Sequence, residues 1–234
     1  MEKFKGPSQY DLWKDDGDGI IPNDLEVAEK WAIGKLERNE FNLSDQARMN
    51  IILTMKGAKP GSEFNAPPEK ATKVAEMLKT IRIYSKSFKT EEAETTKKIN
   101  ITSVKFIISK DKETLERIAK TLMANDKNFS KIGYLESLNE KEREEYRKNE
   151  IQFGLNFGYP KTAVEAFANR DEKMGWEDLP KDIKGSPVGE IYRKFSLFSF
   201  STEHWEEEWE VFKKWVSIIK YTSPKIFEQL LEAK

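Results

Sequence analysis

A single histidine and no cysteine define the chemistry open to this chain of 234 residues. Without thiols there is no disulfide, thiolate nucleophile, iron–sulfur cluster or cysteine-ligated zinc. With one imidazole, a metal site built on two or more histidines within one chain, such as that of the HExxH zincins, is excluded. The imidazole belongs to His204, four residues before Glu208 in STEHWEEEWEVFKKWVSIIK. A helix turns about 100° per residue, so Trp205, Trp209, Phe212, Val216 and Ile219 share one stripe. Val211, Trp215 and Ile218 widen it, and His204 and Glu208 then fall inside the widened arc. Burial raises a glutamate pKa and a charged histidine beside it lowers it, which makes the pair a candidate for proton transfer or for holding a divalent metal. The competing explanation is plainer. Acidic residues in a first turn complement the helix dipole, and a lone histidine among tryptophans commonly sits at the edge of a core.

Two other stretches have suggestive spacing. In KDDGDGIIPNDLE, placing Gly19 at the glycine of a calcium loop puts Asp16 and Asp18 at ligand positions and Ile21 at the apolar one. The first ligand position is then Lys14 and the last is Leu25, with Glu26 one residue late, so a solvated Asp-Gly turn is the simpler account. In EIQFGLNFGYPKTAVEAFANR, Gly154, Gly158, Val164 and Phe167 stand where a DNA-binding helix-turn-helix needs a small crossing residue, a turn glycine and two apolar anchors. Phe153 and Phe157 would fill the buried face of its first helix. The outward side of the second helix would present Lys161, Thr162, Glu165, Asn169 and Arg170, among which Asn and Arg can read base edges. Glu165, and Glu140, Glu142, Glu144, Glu145 and Glu150 upstream, oppose a phosphate backbone, and any tight helix pair needs the same small residues to pack.

The segment GYPKTAVEAF also resembles a GYP-x-C-C-V-x-x-F signature shared by a group of prokaryotic proteins. Thr162 and Ala163 stand where that signature has paired cysteines, so a thiol or metal role attached to them is absent from this chain.

Bulk composition narrows the partners. Forty Lys plus Arg against forty-one Asp plus Glu give a net charge of −1, so any nucleic-acid or membrane contact depends on a local patch. No apolar run exceeds three residues, and the opening MEKFKGPSQYDLWKDDGD turns acidic where a signal peptide needs an apolar stretch. A soluble, cytoplasmic protein without membrane partners is expected. No GxGxxG, GxxxxGK[ST] or GxSxG occurs, which removes the standard nucleotide loops and the serine-hydrolase elbow.

Positioning these residues requires a mainly helical framework. Asn23 or Asp24 can cap a helix carrying Leu25, Ala28, Ala32 and Leu36, and Ser44 another carrying Ala47, Ile51, Ile52 and Met55. GAKPGSEFNAPPE then reads as a linker or long loop. A helix from about Pro68 follows, then an extended run with Ile81 and Ile83, the β-branched run INITSVKFIIS, and the helix DKETLERIAKTLMAN. That order predicts an antiparallel pair with two helices on one face. Asn139 caps the next helix, Pro160 begins another, and helices from about Ser201 and Ser223 close the chain. The expected fold class is α+β, predominantly helical, with a small antiparallel sheet covered by helices. Three parts are expected: a helical segment 1–64, a small α/β unit 65–130 and a helical region 131–234, or one compact domain made of all three. Function is read as that of an intracellular binding or interaction module with a protein or nucleic-acid partner, nucleic acid being bound through a helix-turn-helix-like corner at 150–170, and the alternative is a small enzyme or metal-dependent protein using His204 and Glu208.

Overall fold

The computed structural model describes residues 24–92, 100–129, 139–169 and 173–233. Helix α1 (Leu25–Glu37) starts at Asp24, whose carboxylate accepts the Glu26 N–H at 2.8 Å, and it buries Ala28, Ala32 and Leu36 along one stripe. Helix α2 (Asp45–Met55) is capped by Ser44 and differs from its expected amphipathic form, because every residue from Ala47 to Met55 is buried. Arg48, Asn50 and Thr54 are therefore carried into the interior on a helix that neighbours surround, and each finds a hydrogen-bond partner there.

The sheet has three strands, one more than expected. β1 (Gly61–Ala66) lies within the stretch read as a linker, β2 (Tyr84–Glu92) follows helix α3 (Ala71–Thr80), and β3 (Asn100–Ser109) sits between them, antiparallel to both. Ile81 and Ile83 are buried but precede the strand. Arg82 is left-handed at φ 55° and donates its N–H to Lys79 O, so these residues close the end of α3 instead of pairing. The two faces of the sheet have different covers. Phe64 and Phe106 face each other across the β1–β3 register, their rings stacked with centroids 5.3 Å apart, and with Ile108 they join α2 and the α3 residues Val74, Met77 and Leu78. Ile107 points the other way, onto Leu115, Ile118, Ala119 and Leu122 of helix α4 (Lys112–Phe129). Thus α3 and α4 take opposite faces, not one, because alternate residues of β3 are apolar on both sides.

The rest of the described chain is almost wholly helical. A capping box at Asn139 and Glu142 starts α5 (Glu140–Asn156), followed by α6 (Lys161–Asn169). Next come the two-residue strand β4 (Lys173–Met174), the single turn α7 (Lys181–Lys184) and α8 (Pro187–Phe195). β5 (Phe200–Ser201) pairs antiparallel with β4, and α9 (Trp205–Thr222) and α10 (Pro224–Glu232) follow. One cluster of buried side chains extends from Ala28 on α1 through the sheet to Trp209, Phe212, Trp215 and Leu230 on the last two helices. The structure is α+β and mostly helical, as the patterning predicts. Among the described residues no helix is long and apolar enough to cross a membrane.

Candidate functional site

The residues singled out in the sequence are not brought into one site. His204 is exposed at the N-cap of α9, since regular helix begins only at Trp205 and the helical spacing does not extend back to the imidazole. Glu208 is fully buried, so the proposed pair is split between surface and interior. No hydrogen bond or ion pair joins the two side chains; the residues are linked through the backbone, Glu208 N–H donating to His204 O at 3.1 Å. Glu208 is satisfied elsewhere: its carboxylate accepts from Ser201 N at 2.7 Å, Ser201 Oγ at 2.8 Å and Thr162 Oγ1 at 2.6 Å. This carboxylate clamps β5 to the start of α6. Thr162 is thereby committed inward, Lys161 is exposed and lies 3.5 Å from Glu165, and Asn169 is exposed at the end of α6. Arg170, Asp16 and Asp18 lie outside the described residues. Among the described residues no three His, Asp or Glu side chains gather as a metal would need.

The α5–α6 corner is real, and its glycines have steric reasons. A Cβ on Gly154 would lie 2.6 Å from a Val164 methyl, so the helices meet backbone to side chain. Gly158 has φ +73°, and a Cβ there would also strike Pro60 Cδ at 2.5 Å. Phe167, expected as an anchor, is 49% exposed, whereas Val164 and Phe157 are buried. The corner thus packs down on Pro60 and the residue before it, Lys59.

Lys59 is the chemical anomaly of the fold. It follows the end of α2, where Leu53 O accepts from both Ala58 N at 2.9 Å and Lys59 N at 3.2 Å, and its side chain runs back into the interior with 1% exposure. Nζ donates to Asn50 Oδ1 at 2.9 Å, and Asn50 Nδ2 donates to Glu63 O at 3.0 Å, so one amide links the lysine to β1. Three aromatic rings surround the nitrogen, with centroids at 4.7 Å for Tyr159, 5.3 Å for Trp215 and 5.8 Å for Phe157. Two of those rings come from the α5–α6 corner and the third from α9. No ion pair joins Lys59 to a described carboxylate. Burial brings the ammonium down from the usual 10.5 to about 7, against the opposing pull of the Glu63 carboxylate. Ring faces favour the cation and burial favours the free amine, so near neutral pH both forms are accessible.

The surroundings carry two more titratable groups. Glu63 is partly exposed, yet its Oε2 is buried without a hydrogen bond, and the nearest cation, Lys105 Nζ, stands 3.6 Å away. Tyr159 is held well above its ordinary range, first by burial and then by the Glu63 charge. Its hydroxyl makes no hydrogen bond among the described residues, and it is the outermost of the three rings, Phe157 and Trp215 being buried. A lysine in a Gly-Pro segment reads as solvated, which is why sequence patterning passes over it. The only local hint is Asn50, a polar residue between the apolar positions of α2.

No family model, curated protein or solved structure matches this chain.

Proposed function

We propose that the protein is an enzyme that uses the Lys59 amine as a nucleophile toward a carbonyl compound. The observation that carries this is a lysine withdrawn from water, held by one neutral hydrogen-bond acceptor and no paired carboxylate, so that its free amine is available near neutral pH. A lysine desolvated in apolar surroundings is a recurrent way to make that group reactive. The Lys59 lone pair adds to the carbonyl carbon while the C=O π pair moves to oxygen, which takes up a proton. Loss of a proton from nitrogen leaves a neutral carbinolamine. Protonation of its hydroxyl then releases water, and the nitrogen lone pair forms the C=N bond of an iminium. Glu63 and Tyr159, the titratable neighbours, are assigned to carry these protons. Entry is assigned to displacement of Tyr159, the outermost ring. The rings that stay in place, Phe157 and Trp215, then favour the cationic iminium through their faces near the nitrogen.

The α6 surface is a weaker basis for function. It offers nucleic acid a lysine already beside Glu165 and a threonine donating to buried Glu208.

Reductive trapping tests the proposal. The protein is incubated at pH 7.5 with a panel of small aldehydes and ketones and cyanoborohydride, then digested and mapped by mass. Modification concentrated at Lys59 over exposed lysines such as Lys30 is expected, and Lys59→Arg should abolish that peptide while leaving the others. Labelling that tracks exposure alone, with Lys59 unmodified throughout the panel, overturns it.

A further inference from the structure

We infer that the carbonyl compound taken by Lys59 is the one-carbon aldehyde, formaldehyde. This rests on the Lys59 reading above and adds the substrate class. The added observation is how closely the amine is enclosed. Nζ stands 4.7, 5.3 and 5.8 Å from the ring centroids of Tyr159, Trp215 and Phe157, and Asn50 Oδ1 takes a fourth side at 2.9 Å. The lysine is buried, so none of the remaining directions opens to water.

Those distances set a size limit. In an iminium the new carbon sits about 1.3 Å from nitrogen, so toward Tyr159 it comes to about 3.4 Å from the ring centroid, at the edge of ordinary carbon–carbon contact. A second carbon lies about 2.4 Å from nitrogen and would come to about 2.3 Å from the Tyr159 centroid or about 2.9 Å from that of Trp215, well inside contact. One carbon therefore fits with the rings where they stand, whereas a longer adduct holds Tyr159 out after entry. The packing of that ring opposes this, its centroid lying 6.0 Å from Phe157, 5.7 Å from Phe198 and 6.2 Å from Trp215. Ketones, whose iminium carbon bears two further carbons, are disfavoured most. The amine, formaldehyde and one proton give the CH2=N iminium of Lys59 and one water, the C=O bond being exchanged for C=N. The iminium nitrogen keeps one N–H, which Asn50 Oδ1 still accepts.

The test gives the full chain formaldehyde, acetaldehyde, propionaldehyde and acetone separately, each trapped by cyanoborohydride and mapped by mass. Intrinsic reactivity also changes with size, so labelling at Lys59 is divided by that at exposed Lys30 and Lys161. The normalised value should fall about tenfold or more from formaldehyde to propionaldehyde, as overpacking of a filled interior requires. Tyr159→Phe, which keeps the ring, should retain the fall, and Tyr159→Ala, which opens one side of the enclosure, should reduce it. No fall in the unaltered protein with Lys59 labelled, or a fall as large in Tyr159→Ala as in Tyr159→Phe, overturns this inference and leaves the amine reading intact. Absence of labelling at Lys59 with every compound overturns both.

Discussion

Replacing Lys59 with methionine should remove a specific slope from the dependence of stability on pH. In the unfolded chain the ammonium titrates at the usual 10.5; in the folded protein it titrates at about 7. Between those values the unfolded state binds a proton that the folded state lacks, so raising the pH favours folding. The slope approaches about 1.4 kcal/mol per pH unit, and the gain between pH 7 and pH 9 is about 2 kcal/mol. The whole window corresponds to about 5 kcal/mol, fully present above the unfolded value and lost as the pH falls to about 7. The neighbours that face the amine do not reverse this sign. Glu63 is partly exposed and Tyr159 titrates above the window, while a ring contribution of about 2 kcal/mol to the ammonium would raise only the lower edge by about 1.5 pH units, narrowing the window to about 3 kcal/mol without changing its sign. Urea denaturation of the unaltered protein and of Lys59→Met at pH 7, 8 and 9 reads the difference directly. Because Lys59→Met also strips Asn50 Oδ1 of its donor, the offset between the two curves is not diagnostic and their divergence is. Parallel curves would refute a buried, uncharged Lys59.

Further outcomes concern other parts of the fold. Burial first and the Glu208 charge among its lesser causes raise Tyr192 to about 12, and Tyr159 is raised further, so folding favours both neutral phenols. Stability should therefore fall as the pH rises above about 10, and Tyr192→Phe should flatten that decline in an alkaline denaturation series; a decline unchanged in the variant sinks this attribution. Glu208→Ala leaves Ser201 N, Ser201 Oγ and Thr162 Oγ1 without their acceptor, and a loss of about 3 kcal/mol is expected in urea denaturation. A loss below about 1 kcal/mol contradicts the clamp. Gly158→Ala combines a left-handed φ with a Cβ 2.5 Å from Pro60 Cδ, so a drop of at least about 2 kcal/mol is expected, and a neutral result would mean that the corner does not press on the Lys59 loop.

What could be read from the sequence was whatever repeats locally. The stripes of α1, α4 and α9 and the β-branched run of β3 name their own structure, and so do the caps at Asp24, Ser44 and Asn139. β1 could not be read, because GSEFNA has little strand character of its own and is held by pairing with β3. The placement of α3 and α4 on opposite faces likewise depends on Ile107 facing away from Phe106 and Ile108, a distinction of one residue in an apolar run. His204 failed for a boundary reason: it is the residue just before the helix whose periodicity was applied to it. Lys59 was illegible because it stands in a Gly-Pro segment past the end of α2, where a lysine ordinarily reaches water. Its rings arrive from Phe157, Tyr159 and Trp215, far along the chain, and only the folded arrangement takes water from its amine.

Asn50 fixes more than the position of that nitrogen. Its Nδ2 is occupied by Glu63 O, so its amide has one orientation and only an oxygen is turned toward Lys59. An amide oxygen takes a hydrogen and offers none, so the neutral amine must spend an N–H there and its lone pair cannot be the group that meets Asn50. Aspartate has nearly the same shape as asparagine, yet at this position it would put a full negative charge against Nζ and draw back the third proton, occupying that lone pair. The choice of amide over acid on a buried helix thus leaves the lone pair of the neutral amine unclaimed by its one hydrogen-bond partner.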